Sequence, residues 1–287
     1  MDIKLNQNKI GNLKYLFGKE FYYNKSSYQF LLAFILIFPA LIISLVQSLI
    51  NVEFLNDWCL VILGIISALT GITSIVFEQI SKRNAIKGAN YLDLFDHKVL
   101  ETPRKGNYNI SAINGEVEEL IKEHKSYFEQ KCSKEGVEGH SYLDWYENVP
   151  SGKKNDQVMY CQKQCLVWSK PMFICSLILC VAIISIYIFS VVFLYSKLEL
   201  IKFITFILFN LIDFIGIGMY LFCIIKKVVV CDRIIKDIDV YLDNPNRKSS
   251  EYIEEKIYDF RKLPAFSLKF SYKKIYRRKH EEEKLPA

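Results

Sequence analysis

Four stretches of the chain are apolar almost without interruption: Tyr28 to Ile50, Trp58 to Phe77, Pro171 to Tyr195 and Phe203 to Ile225. A helix that crosses a bilayer needs about 20 predominantly apolar residues, and each stretch supplies them. The first three carry no charged side chain. Outside them the pattern changes to polar sequence with helical spacing. Glu78 to Leu100 continues the second span as a helix, and Pro103 with Gly106 stops it. Ile113, Val117, Leu120, Ile121 and Phe128 recur at the spacing of an amphipathic helix from Ile113 to Phe128.

Gly136, Gly139, Pro150 and Gly152 mark a turn-rich stretch, after which Gln157 to Lys170 leads into the third span. Lys226 to Leu242 extends the fourth span as far as Asn244-Pro245. Ile253, Ile257 and Phe260 then line a shorter helix closed by Pro264. No run reads as a strand. The predicted fold is an all-α integral membrane protein, with four transmembrane helices in two hairpins and a mainly helical cytoplasmic domain. Its parts are an N-terminal arm (1–27), a first hairpin (28–77), a helical insert (78–170), a second hairpin (171–225) and a helical basic tail (226–287).

Charge orients this arrangement. Of 37 Lys and Arg residues, only Lys197 and Lys202 fall in the short linkers, Asn51 to Asp57 and Ser196 to Lys202. The others lie in the arm, the insert and the tail. Lys19, Lys25, Lys82, Arg83, Lys163, Lys170, Lys226 and Lys227 flank the helix ends on that side. The positive-inside rule therefore places both termini and the insert in the cytoplasm. The net charge of +6 is then a property of the cytoplasmic face. It serves orientation and anionic lipid on the plain reading, and a phosphate-bearing ligand on the sharper one.

Composition adds exclusions. A chain that is 51% hydrophobic is neither disordered nor an ordinary soluble domain. Cys59, Cys175, Cys180 and Cys223 lie in the spans, and Cys132, Cys161, Cys165 and Cys231 face a reducing compartment, so no disulfide framework is expected. The Cys161-x-x-x-Cys165 pair, with His124 and His140 upstream, matches no standard zinc spacing, and neither metal nor cofactor is expected. No Walker loop, nucleophile elbow, HExxH or dinucleotide fingerprint occurs, so nothing asks for an enzyme.

Polar residues inside a bilayer are costly and lean functional. Asp213 lies midway along the fourth span, with Asn210 a turn earlier on the same face. The pair lines a pore on one reading and ties helices together on the other. Gly64-xxx-Ala68 and Ser67-xxx-Gly71 give the second span small-xxx-small spacings suited to close helix packing, within or between chains. Pro39 predicts a kink in the first span.

Aromatic and basic residues cluster on the cytoplasmic side: Trp145-Tyr146, Gln162-Lys163 with Trp168, Arg261-Lys262, and Tyr272 to Arg278. Trp and Tyr stack on nucleobases while Lys and Arg hold phosphates. Large aromatics also build cores, and Trp168 sits where an interfacial anchor belongs.

These motifs resemble those of the SMODS-associated four-transmembrane effectors, pore-forming proteins of bacterial cyclic-oligonucleotide defence systems. The similarity rests on Ala85, Ala89, Phe95-Asp96 and Val99-Leu100, and on Trp145-Tyr146. It continues through Cys161-Gln162-Lys163 with Trp168, and through Ile257-Tyr258, Arg261, Tyr272, Arg277 and Glu281. The chain departs from the family pattern in three places. Thr102-Pro103-Arg104 and Asn107 stand where a Pro-Trp-Asn is usual, Cys165 replaces an Asn, and Ser169 replaces an Asp.

The resemblance implies a membrane effector of anti-phage signalling in the bacterial inner membrane. A cyclic oligonucleotide second messenger, made by a partner nucleotidyltransferase, would bind the cytoplasmic side. An oligomer of this chain would then permeabilise the bilayer, with no DNA or RNA partner. Phe95, Asp96, Trp145, Tyr146, Gln162, Lys163 and Arg261 are the ligand-binding candidates, and Asn210 and Asp213 the pore-lining ones. Two other classes stay open: a membrane scaffold that binds a protein partner, and a small ion channel or transporter subunit that uses Asp213.

Overall fold

The computed structural model describes residues 2–39, 41–43, 57–137, 140–147, 149–195, 204 and 211–265. In chain order they form α1 (Ile3–Gln7), α2 (Ile10–Ile35), α3 (Asp57–Leu100), α4 (Ile110–Glu123), α5 (Lys125–Lys131), α6 (Lys154–Tyr195), α7 (Leu211–Asp243) and α8 (Ser250–Arg261), with no strand among the described residues. Four helices are long and apolar enough to cross a membrane: those over Ile10–Ile43, Gly64–Leu100, Lys154–Phe193 and Phe214–Asp243. The chain is an all-α, multi-pass membrane protein.

Local chemistry accounts for the helix ends. Asp2 caps α1 by accepting from Leu5 N at 3.1 Å, and Asn109 caps α4 by accepting from Ser111 N and Ala112 N. α2 breaks at Leu36 and helix resumes at 37–39. Pro39 explains the break, because its ring crowds the carbonyl of the residue four positions back, Ile35. The helix predicted from Ile113 to Phe128 is in fact two, α4 and α5, divided at His124, whose φ of −122° and ψ of 36° leave the helical region. α3 stops at Leu100, as Pro103 requires, and Glu101 turns the chain with φ at 53°.

The chain divides into two units, and several long helices contribute to both. The polar unit comprises residues 1–26, 82–171 and 229–264. Its core takes one face from each helix: Leu13, Leu16 and Phe17 of α2, Ala85, Ala89 and Phe95 of α3, Ile113, Val117 and Leu120 of α4, and Ile253, Ile257 and Phe260 of α8. α2 and α3 interlock through two glycines. A Cβ on Gly18 would lie 2.6 Å from the Tyr91 ring, and one on Gly88 would lie 2.9 Å from the Tyr23 ring. Each helix thus seats a tyrosine on the other's bare backbone. The loop after α3 is held by Asp93, which accepts from Lys105 N, Gly106 N and the Tyr108 hydroxyl.

The membrane unit comprises the described residues within 27–81 and 172–228. Its buried cluster draws Phe30, Ala33, Phe34, Ile37 and Leu41 from the first span, Cys180, Tyr187 and Val191 from α6, and Ile217, Tyr220 and Ile224 from α7. The membrane half of α3 stands apart from this trio. Only 11% of its apolar window is buried, against 41% for the first span. It is tied in by Phe77 and by Ser74, whose Oγ donates to the Ala33 carbonyl at 2.7 Å. Gly64 and Gly71 meet nothing within 4 Å, so the small-xxx-small face is unused within the described chain. The linkers at 51–56 and 196–202 lie outside the described residues, as do Asn210 and the side chain of Asp213.

Candidate functional site

Four segments of the polar unit converge on one carboxylate. Asp96 lies near the end of α3, one residue past Phe95, whose ring packs 6.0 Å from that of Tyr146. Arg261, the last residue of α8, donates from Nη1 to Asp96 Oδ2 at 2.7 Å. Gln162 on α6 donates from Nε2 to the same oxygen at 2.8 Å, and its Oε1 accepts from Arg261 Nη2 at 2.6 Å. The Tyr146 hydroxyl donates to Asp96 Oδ1. Tyr23 of α2 closes the ring by donating to the Arg261 carbonyl at 3.2 Å.

The ion pair is buried, with 8% of the Arg261 side chain and 3% of the Asp96 side chain exposed. A charge in such a place is tolerated only when paired and hydrogen-bonded. Burial works against the Arg261 charge, but Asp96 together with Tyr146, Cys165 and Tyr23 outweighs it and holds the guanidinium more firmly protonated. Burial, and then the Asp96 charge, push the Tyr146 hydroxyl well above its ordinary value, so it is a fixed neutral donor. The network is complete: each oxygen of Asp96 has a donor and each end of the Gln162 amide has a partner. An entering phosphate would compete with Asp96 for Arg261, since both offer a guanidinium paired oxygens.

Tyr146 is held by the N-terminal arm. Its N–H donates to Gln7 Oε1 at 2.8 Å, and its carbonyl accepts from Gln7 Nε2 at 3.3 Å. One residue on, Asn8 makes the same double contact with Asp144. Asn8 accepts from the Asp144 N–H at 2.8 Å and donates to its carboxylate at 2.9 Å. Asp144 has φ at 52°, a left-handed conformation that Asp tolerates better than most residues. The two clasps flank Trp145. Its ring covers the ammonium of Lys19, with Nζ 4.1 Å from the ring centre. Its indole N–H is buried beside Cys165 and finds no acceptor of hydrogen-bonding geometry.

Of the residues singled out in the sequence, Phe95, Asp96, Tyr146, Gln162 and Arg261 meet in this network, and Trp145 borders it. Lys163 does not join them. It follows Gln162 on α6 and so points about 100° further around the helix, where it pairs with Asp239 at 2.5 Å. Trp168 lies on α6 outside the network. Tyr272, Arg277 and Glu281 lie outside the described residues. Gln7, Asn8, Lys19 and Tyr23 were missed. Only the i, i+4 spacing of Lys19 and Tyr23, which puts both on one helix face, gave any signal of them. No group of three His, Cys, Asp or Glu among the described residues is placed to hold a metal ion.

No curated protein and no solved structure matches the chain significantly. The model of one family, described as the SMODS-associating 4TM effector domain, matches residues 1–285. That match spans nearly the whole chain and agrees with its four membrane-crossing helices: the chain belongs to the SMODS-associating 4TM effectors.

Proposed function

We propose that this effector senses a cyclic oligonucleotide through its polar unit and, as an oligomer, permeabilises the bacterial inner membrane. The observation that carries the reading is the Asp96 network. Residues from α3, α6, α8 and the Trp145-Tyr146 loop are spent on a single buried polar centre in the polar unit. The association with SMODS synthases supplies the ligand class. The bias of Lys and Arg supports a cytoplasmic location for the polar unit and both termini. Asp213 and Asn210 of the fourth span are the proposed polar ring of the pore.

Dye release from liposomes carrying the purified chain tests this, with a panel of cyclic di- and trinucleotides as triggers. Release by one nucleotide supports the proposal, and Asp213→Leu should then change the ion selectivity of the leak. Silence across the panel from folded, inserted protein favours a scaffold that binds a protein partner. The completeness of the Asp96 network supports that second reading, since a purely architectural centre would also be closed.

A further inference from the structure

The polar unit contains a cation held against a ring face rather than a carboxylate, and beside it a buried hydrogen-bond donor without an acceptor. Lys19 Nζ lies against the face of Trp145, yet among the described residues it has neither a hydrogen-bond acceptor nor a carboxylate within ion-pairing distance. Its neighbour Glu20 is already spent. Glu20 pairs with Lys131 at 3.3 Å and accepts from the hydroxyls of Tyr127 and Tyr142, each at 2.8 Å. Asp96 is spent on Arg261, Gln162 and Tyr146. Two groups act on Lys19 favourably: Cys165, whose thiol burial pushes up to about 11, and Glu20, whose carboxylate is already paired with Lys131.

The other two charges acting on Lys19, Arg261 and Lys131, are cations. A ring face softens such isolation but does not neutralise it. Beside it, the Trp145 indole N–H is buried with no acceptor. Two neighbouring donors of the same polarity, neither in contact with an acceptor, form a place chemically suited to an anion.

We propose that Lys19 Nζ and the Trp145 indole N–H together bind one phosphate, each through a different oxygen, and that a phosphodiester of the cyclic oligonucleotide supplies it. The inference rests on the sensing function proposed above and names its anchoring residues. Nζ lies 4.1 Å from the centre of the ring that carries the N–H, so the two donors are neighbours. The indole N–H is closed to water as it stands, so binding moves the 140–147 loop that carries it. That loop is irregular chain held at Asp144 and Tyr146 by side chains of the N-terminal arm. Phosphate capture at Trp145 therefore pulls on the same backbone that delivers the Tyr146 hydroxyl to Asp96.

The test is equilibrium binding of a cyclic di- and trinucleotide panel to the full chain in nanodiscs. Each nucleotide is measured in phosphatidylcholine alone and with phosphatidylglycerol. Wild type is compared with Lys19→Met, Lys19→Arg and Trp145→Phe. The expected result is at least tenfold weaker binding by Lys19→Met, with a salt dependence shallower by about one phosphate contact. Lys19→Arg should recover most of the loss, and Trp145→Phe should weaken binding severalfold.

A methionine keeps the contact with the Trp145 ring and removes a charge that burial disfavours, so unliganded Lys19→Met should melt no lower than wild type. A clearly lower melting temperature would give Lys19 a structural role and overturn the assignment. If wild type binds one nucleotide and both Lys19→Met and Trp145→Phe bind it equally well, the site is wrong while sensing stands. If wild type binds none of the panel, sensing itself falls. Stabilisation by phosphatidylglycerol alone, lost in Lys19→Met, would assign the phosphate to a lipid headgroup and overturn its nucleotide source.

Discussion

Gln7 holds Tyr146 by its backbone, taking the tyrosine N–H with one end of its amide and giving the other end to the carbonyl, across 139 positions of chain. The glutamine is fully buried. It ties the N-terminal arm to the loop that carries Trp145 and Tyr146. Gln7→Ala leaves both backbone groups of Tyr146 without partners, which costs about 1–3 kcal/mol per buried group. Thermal or chemical denaturation of the purified chain should show that loss. Amide exchange should rise first at Tyr146 rather than along α3.

The buried pair of Asp96 and Arg261 makes a different prediction. Removing one partner strands the other charge, and Arg261→Met should cost about 3–5 kcal/mol. The double variant Asp96→Leu, Arg261→Met should be more stable than Arg261→Met alone, because it strands no charge. If the double variant is the less stable of the two, the pair is held by more than its own electrostatics.

Acid should loosen the polar unit through Glu20. Burial raises its affinity for a proton, but Lys131 and the hydroxyls of Tyr142 and Tyr127 outweigh burial and hold its pKa below the ordinary value. A carboxylate with a depressed folded pKa contributes stability above its unfolded pKa, about 4.3. That contribution is lost as pH falls through the folded value. Stability measured from pH 7 downward should therefore drop below about pH 4.3. Glu20→Gln should be less stable at pH 7 and should show a flatter acid limb.

Gly18→Ala tests the seam between α2 and α3. The added Cβ would lie 2.6 Å from the ring of Tyr91, which is almost fully buried and stacked on Tyr22 with ring centres 5.6 Å apart. The ring has no free space to retreat into, and overpacking of this kind costs about 1–3 kcal/mol. Gly115→Ala is the control. Its Cβ would meet nothing within 4 Å, and alanine favours the helix.

Much of the fold was legible because membrane spans and helix stops are local signals. Twenty apolar residues announce a span wherever it packs, and Pro103 and Pro245 end helices by chemistry that needs no neighbour. The division at His124 was not legible. The apolar residues on both sides keep helical spacing, so the pattern runs across the break.

At the site, the motif residues were found through resemblance, and the structure explains why five of them go together: they share one carboxylate. Gln7 and Asn8 carried no such mark. Their work is done on backbone groups more than a hundred positions away, and a backbone contact leaves no pattern in the side chains around it. Lys163 stands outside that network for a different reason. Adjacent positions in sequence look like one motif, but on a helix they face different neighbours.

Among the described residues, protein covers about a tenth of the apolar window of the membrane half of α3 and leaves the rest exposed at a depth where lipid is the solvent. Lipid chains are as apolar as leucine, so they act there as a bound solvent that protein must displace. Contact between such a helix and another chain swaps one set of van der Waals partners for another. The balance is governed by mass action: diluting the protein in excess lipid should dissolve any assembly built on this face, and crowding it into little lipid should favour one.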